Sequence, residues 1–169
     1  MASIAMYGTC MTTPLSPTPG FLVWRLSMSW RAAVDRAVGH LDLTHAQYSL
    51  LASLRGMQRG GQAPSQRELA DHTGLDAIYV SKLARALEQR GLVARDAHPD
   101  DTRAVQLTLT ERGVEVIDEA IPIVHELLDH LTAPLGGTSG KRTAAFMRDL
   151  SLLLAVDPPS ESRTPGGPS

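Results

Sequence analysis

"PSQRELADHTGLDAIYVSKLARALEQRGLVAR" (residues 64–95) carries two helix-capping signals, a tight glycine turn and a change of hydrophobic period. Ser65 and Glu68 stand at capping-box spacing, hydroxyl to one free N–H and carboxylate back to another. Leu69 and Ala70 form the inward side of that helix, and Gly74 supplies its stop. One turn later Asp76 can cap a second helix, with Val80, Leu83 and Leu87 on one stripe and Gly91 at its end. Two short helices joined by a glycine-containing turn make a helix-turn-helix pattern.

Beyond Gly91 the period falls from about 3.6 to about 2. "LVAR" (92–95) and "AVQLTL" (104–109) read as short strands, with Val105, Leu107 and Leu109 on one face. "DAHPDDT" between them is turn chemistry, so the strands form a hairpin. Thr110 can cap a long helix in which Val114, Ile117, Ile121, Val124, Leu128 and Leu131 recur, with a bend expected at Pro122.

Upstream, Leu22, Leu26, Trp30, Val34, Val38 and Leu41 recur at helical spacing. In "LTHAQYSLLASL" Thr44 and Gln47 form another capping pair, and Gly56, Gly60 and Gly61 are expected to close that helix. After the break "GGTSG", Phe146, Leu150, Leu153 and Leu154 mark a last amphipathic helix. The fold class is therefore mainly α: a winged helix-turn-helix with a small β-hairpin wing, flanked by N- and C-terminal helices. No internal repeat is visible.

The 169 residues, 43% apolar, suffice for one core. "TTPLSPTPG" (12–20) and "DPPSESRTPGGPS" (157–169) hold too little apolar surface to offset ordering entropy. The expected organisation is a disordered tail over 1–20, a domain over 21–156 with its helix-turn-helix core at about 44–113, and a second disordered tail. Met6 and Met11 are alternative starts. No apolar run approaches the roughly 20 residues of a membrane helix, and the first residues lack a signal-peptide pattern, so a cytoplasmic protein without a membrane partner is expected. The single cysteine, Cys10, excludes an internal disulfide and a cysteine zinc cluster.

The net charge of −2 does not advertise a nucleic-acid partner, but it is unevenly spread. Residues 1–61 carry five basic and two acidic side chains, 62–113 seven and eight, and 114–169 four and eight. Any double-stranded DNA surface must be a local arrangement of a few cations. The inner stripe of the second helix leaves Ala77, Ile78, Tyr79, Ser81, Lys82 and Arg85 to outer and flanking faces, where they can reach a major groove. Arg103, at the hairpin tip, can project into the adjacent minor groove, with Asp101 steering its guanidinium. Arg95, in the first strand, joins this candidate set.

"LDAIYVSKLARALEQRGLVAR" followed by "PDDTRAVQLTLTERG" resembles the multiple-antibiotic-resistance regulator (MarR) family, with its Asp-x-Arg wing and Leu-Thr-x-x-Gly approach to a long dimer helix, here Asp101, Arg103, Leu109, Thr110 and Gly113. More loosely the resemblance extends over about 22–156. It implies a sequence-specific DNA-binding transcriptional regulator and, by family habit, a repressor. By matched position it adds Ser65 and Gln66 as backbone contacts. Arg85 stands where the family often has an acid, and Ala77 and Ile78 are less polar than is usual there.

The terminal helices, about 22–41, 110–135 and 140–156, carry more apolar surface than one winged helix covers, which a two-fold homodimer would bury on a palindromic or nearly palindromic operator. The resemblance also implies a signal sensed between the dimer helices and the winged helix, a small aromatic or phenolic molecule, an oxidant or a metal; for a small aromatic or phenolic effector Trp24, Met28, Trp30 and His45 are the candidate lining. His125, Asp129 and His130 lie close on one helix, but two ligands there need others from elsewhere, so neither metal nor cofactor is expected. "GTSG" (137–140) follows no strand, and adjacent Asp100 and Asp101 need not converge as an acid–base pair, so no enzyme is expected. The rival reading is a winged helix that docks proteins without binding DNA.

Overall fold

A computed structural model describes residues 16–97 and 104–156. The readings made at Met6, Cys10, Met11, Asp100, Asp101 and Arg103, and the C-terminal tail from residue 157, lie outside the described residues. Among the described residues the order is α1 (Pro19–Val38), a 3-10 turn (Gly39–Leu41), α2 (His45–Arg59), α3 (Gln66–Thr73), α4 (Ala77–Gln89), β1 (Val93–Ala97), β2 (Val105–Leu109), α5 (Glu111–Thr132), a second 3-10 turn (Ala133–Leu135) and α6 (Lys141–Leu154). None of the described helices is long and apolar enough to cross a membrane.

Local chemistry sets most boundaries. Thr44 accepts from the Gln47 N–H while the Gln47 side chain accepts from the Thr44 N–H, and Ser65 and Glu68 repeat the exchange at α3. Gly74 ends α3 at φ 67°, a left-handed turn that a side chain would strain. Two boundaries differ from expectation. The first helix begins at Pro19, inside the segment read as tail, because the Thr18 hydroxyl accepts from the Phe21 N–H and proline suits a first helical turn. Gly56 does not close α2, which runs through it to Arg59 and is capped at Gly60. Pro122 lies inside α5, whose helix continues past it to Thr132.

The core joins Val34 and Val38 of α1, Leu50, Leu51 and Leu54 of α2, Leu69 of α3, the α4 stripe Val80, Leu83, Ala84 and Leu87, Leu107 of β2, and Ile117 and Val124 of α5. Each large side chain so buried contributes about 1.5–3 kcal/mol. Only the second half of α1 enters this core: Val34 is 1% exposed, whereas Leu22 is 52% and Leu26 41% exposed.

The strands pair antiparallel, Val93 with Leu109 through Ala97 with Val105. Leu107 points into the core while Val105 and Leu109 pack half-buried against it, which is the face the alternation indicates. A third segment joins the sheet. The Leu107 N–H donates to the Pro64 carbonyl at 2.9 Å, and the Gln106 amide donates to the Ala63 carbonyl at 2.9 Å. The hairpin is thereby fastened to the residues that start α3.

Thr110 joins three elements: its hydroxyl donates to the Gly91 carbonyl at 2.7 Å and accepts from the Gly113 N–H at 3.0 Å. Gly113 packs so closely under the Leu92 carbonyl that an added Cβ would overlap it. Arg90 donates to the carbonyls of Asp42 and Leu41 at 2.6 and 3.1 Å, tying the end of α4 to the loop after α1.

Candidate nucleic-acid interface

The Asp76 carboxylate accepts from the N–H groups of Ile78 (2.9 Å) and Tyr79 (3.1 Å), so the first turn of α4 is capped from within the chain. Those two donors, which an unoccupied helix start would offer to phosphate, are already used. With those two occupied, what this turn presents outward is chiefly its exposed side chains. Ile78, Lys82 and Arg85 follow one another at i, i+4 and i+7 on the face opposite the buried stripe, and all three are exposed. Lys82 and Arg85 have no hydrogen-bond or ion-pair partner among the described residues.

Beside this ridge lies a hollow of about 490 Å³ lined by Ser65, Gln66, Arg67, Asp71, Ala77, Ala104 and Val105. It brings the starts of α3 and α4 to the loop end of the hairpin, where Val105 pairs with Ala97. Three residues read from the sequence, Ser65, Gln66 and Ala77, thus meet there. Arg67 was missed; its one signal is its place in the first turn of α3, off the Leu69–Ala70 side.

The other candidates divide. Ser81 is half-buried on the flank of α4. Tyr79 turns to a different cleft of about 290 Å³, shared with Arg31, His45, Ala46, Ser49, Thr73 and Leu75. Arg95 is only 19% exposed in its side chain and donates to the Glu88 carboxylate at 3.0 Å, which ties β1 to the end of α4.

Of the four residues read as an effector lining, Trp30 and His45 line an apolar cleft of about 410 Å³ with Leu22, Val23, Leu26, Ser27, Phe146 and Leu150. Trp24 and Met28 do not: they are 59% and 52% exposed, and Trp24 lies against Phe21 with ring centroids 6.1 Å apart. The helical turn sends them off the α6 side of α1, a direction that hydrophobicity alone does not report. His45 borders both clefts. Burial pushes its imidazole below the ordinary 6.5, opposed by Asp35 and reinforced by Arg31.

Asp129 is engaged structurally. Its carboxylate accepts from the Thr138 N–H (2.9 Å) and hydroxyl (3.0 Å), bonds that hold its pKa below the ordinary carboxylate value with help from His125. Among the described residues no three His, Cys, Asp or Glu side chains converge as metal ligands, His125, Asp129 and His130 included.

A helix, a tight turn, a second helix with an outward cationic ridge, and a hairpin fastened to both define a winged helix-turn-helix regulator. The MarR family model matches residues 43–105. An uncharacterized HTH-type transcriptional regulator, YdcH of Bacillus subtilis, is 39% identical over 110 residues, 65% of this chain and 75% of that protein. The S. aureus MepR–DNA complex superposes with a TM-score of 0.72 at 25% identity, covering 81% of this chain and 96% of that one. Bordetella bronchiseptica BpsR, whose DNA binding is regulated by 6-hydroxynicotinic acid, matches with a TM-score of 0.72 at 25% identity over 85% of this chain and 97% of that one. The chain belongs to the MarR family of DNA-binding transcriptional regulators.

Proposed function

We propose that this regulator acts as a homodimer, represses transcription from a palindromic or nearly palindromic operator, and releases it in response to a small molecule. The observation that carries the DNA surface is the α4 ridge, where Lys82 and Arg85 stand exposed, and without partners among the described residues, beside the hollow under the hairpin. Gln66 and Arg67 supply backbone contacts, and Arg103, steered by Asp101, supplies the minor-groove contact on the strength of the sequence pattern.

Dimerisation is supported by exposed apolar surface on both terminal helices: Phe21, Leu22, Val23 and Trp24 on α1, and Met147, Leu152, Leu153 and Leu154 on α6. A patch of this kind favours a second copy, and a two-fold pair sets its recognition helices about 34 Å apart, one turn of B-DNA. Its place is with the chromosome, in the cytoplasm.

For the effector, the apolar cleft between α1 and α6 suits a small aromatic molecule, and His45 at its edge also borders the hollow holding Tyr79 in the first turn of α4. A ligand that displaces His45 would reshape the hollow that Tyr79 of the recognition helix also lines.

Selection of bound sequences from random duplex DNA, followed by titration at several salt concentrations, tests this reading. Affinity for the selected duplex should fall steeply as salt rises. No enrichment, or an affinity indifferent to salt, would instead fit a winged helix used for protein docking.

A further inference from the structure

The outward ridge of α4 is headed by an aliphatic side chain. Ile78 is 67% exposed, with Lys82 one turn behind it and Arg85 a turn further on. An isoleucine left in water at the front of a cationic ridge contributes nothing to the core, whose α4 members are Val80, Leu83, Ala84 and Leu87. Asp76 occupies the N–H groups of Ile78 and Tyr79, so neither backbone donor is free to read a base or a phosphate. What the leading turn offers a groove is therefore the Ala77 methyl and the Ile78 side chain, both exposed.

Among the donors and acceptors on the major-groove edges of the four bases, the C5-methyl of thymine is the one alkyl group that projects into the groove. Against any other base Ile78 would strip water from a polar edge without replacing its hydrogen bond, at a cost in affinity. Resting on the DNA-binding reading above, we infer that Ile78 determines specificity by packing on a thymine methyl in each half-site, with Lys82 and Arg85 holding the helix on the flanking backbone or bases. The recognition face of this chain reads one position by apolar contact where a polar side chain would read it by hydrogen bonds.

The test uses the full chain and a duplex selected from a random pool, resynthesised with deoxyuridine replacing each thymine in turn, which removes only the methyl. One substitution per half-site should weaken the wild-type protein about fourfold, the worth of a buried methyl-sized group. For Ile78→Ala the thymine and deoxyuridine duplexes should bind equally, and Ile78→Val should keep part of the discrimination. Helical content of both variants, read by circular dichroism, should match the wild type because position 78 is outside the core. If every deoxyuridine duplex binds the wild type as well as its parent, or if Ile78→Ala keeps the full discrimination, the inference is overturned while DNA binding stands. A pool from which nothing is enriched overturns both.

Discussion

The Arg55 guanidinium straddles the Asp118 carboxylate, donating from Nε to Oδ1 at 2.9 Å and from Nη2 to Oδ2 at 2.6 Å. Arg59 adds a third bond to Oδ1 at 3.0 Å. Two turns of α2 are thus clasped to α5, the helix that leads from the wing toward the terminal helices. A forked pair of this geometry fixes direction as well as distance, which an ordinary surface ion pair does not. The clasp holds the helix-turn-helix unit against the helix that follows the wing.

The clasp should be visible in the pH dependence of stability. The bonds from Arg55, with the charges of Arg55 and Arg59, hold Asp118 below the ordinary carboxylate value of 3.8, against a smaller opposing effect of desolvation. A depressed folded-state pKa means stabilisation that is complete above the unfolded value and is lost as pH falls through the folded one. Asp118→Asn should therefore melt at a lower temperature than wild type at pH 7, and the gap should close on acidification below 3.8. A gap that is constant from pH 7 to pH 2.5 or so would deny the pair its role.

Two glycines should respond to alanine with opposite signs. At Gly113 the new methyl collides with the Leu92 carbonyl, and relief requires moving the backbone between α4 and β1. A loss of about 1–3 kcal/mol or more in urea unfolding is expected. Gly56 lies on the exposed side of α2 with open space where a Cβ would stand, so Gly56→Ala should stabilise by about 0.4–1 kcal/mol.

Removing the ridge cations should change the salt dependence of binding more than the fold. Lys82→Ala and Arg85→Ala should each lower the slope of log affinity against log salt by about one if each side chain neutralises a phosphate. Arg95→Ala should leave the slope unchanged and lower the unfolding temperature, because Arg95 is occupied by Glu88. The reverse pattern would reassign the contacts.

Arg103→Ala should weaken operator binding by about tenfold while dimer mass and helical content stay as in the wild type. Undiminished affinity at physiological salt would remove Arg103 from the interface.

In light scattering at micromolar concentration the free protein should show twice the mass of one chain, and Leu153→Glu, placed on the exposed face of α6, should shift it toward one. A single-chain mass in a wild-type protein that still binds DNA tightly would contradict the two-fold assembly.

Most elements and their starts, that of α1 at Pro19 excepted, were legible from the sequence because their causes are local. A capping hydroxyl and its partner three residues on, as at Thr44 and Gln47 or Ser65 and Glu68, meet as soon as one helical turn forms. The alternation through Val105, Leu107 and Leu109 likewise names the buried face of a strand whatever lies beneath it. Gly56 misled because an isolated glycine weakens a helix by only about 1 kcal/mol, less than the packing of Leu50, Leu51 and Leu54 supplies.

By itself, then, the chain determined its order of helices, its hairpin and its inward faces, since these follow from periodicities a few residues long. Only the tertiary structure decided which polar groups meet. Arg55 finds Asp118 from 63 residues away, Arg90 finds two carbonyls beyond α1, and Arg95 turns to Glu88. Trp24 and Met28 likewise leave the cleft that Trp30 and His45 line. Directions of that kind depend on how packed elements are rotated about their own axes, and a linear pattern carries no record of that rotation.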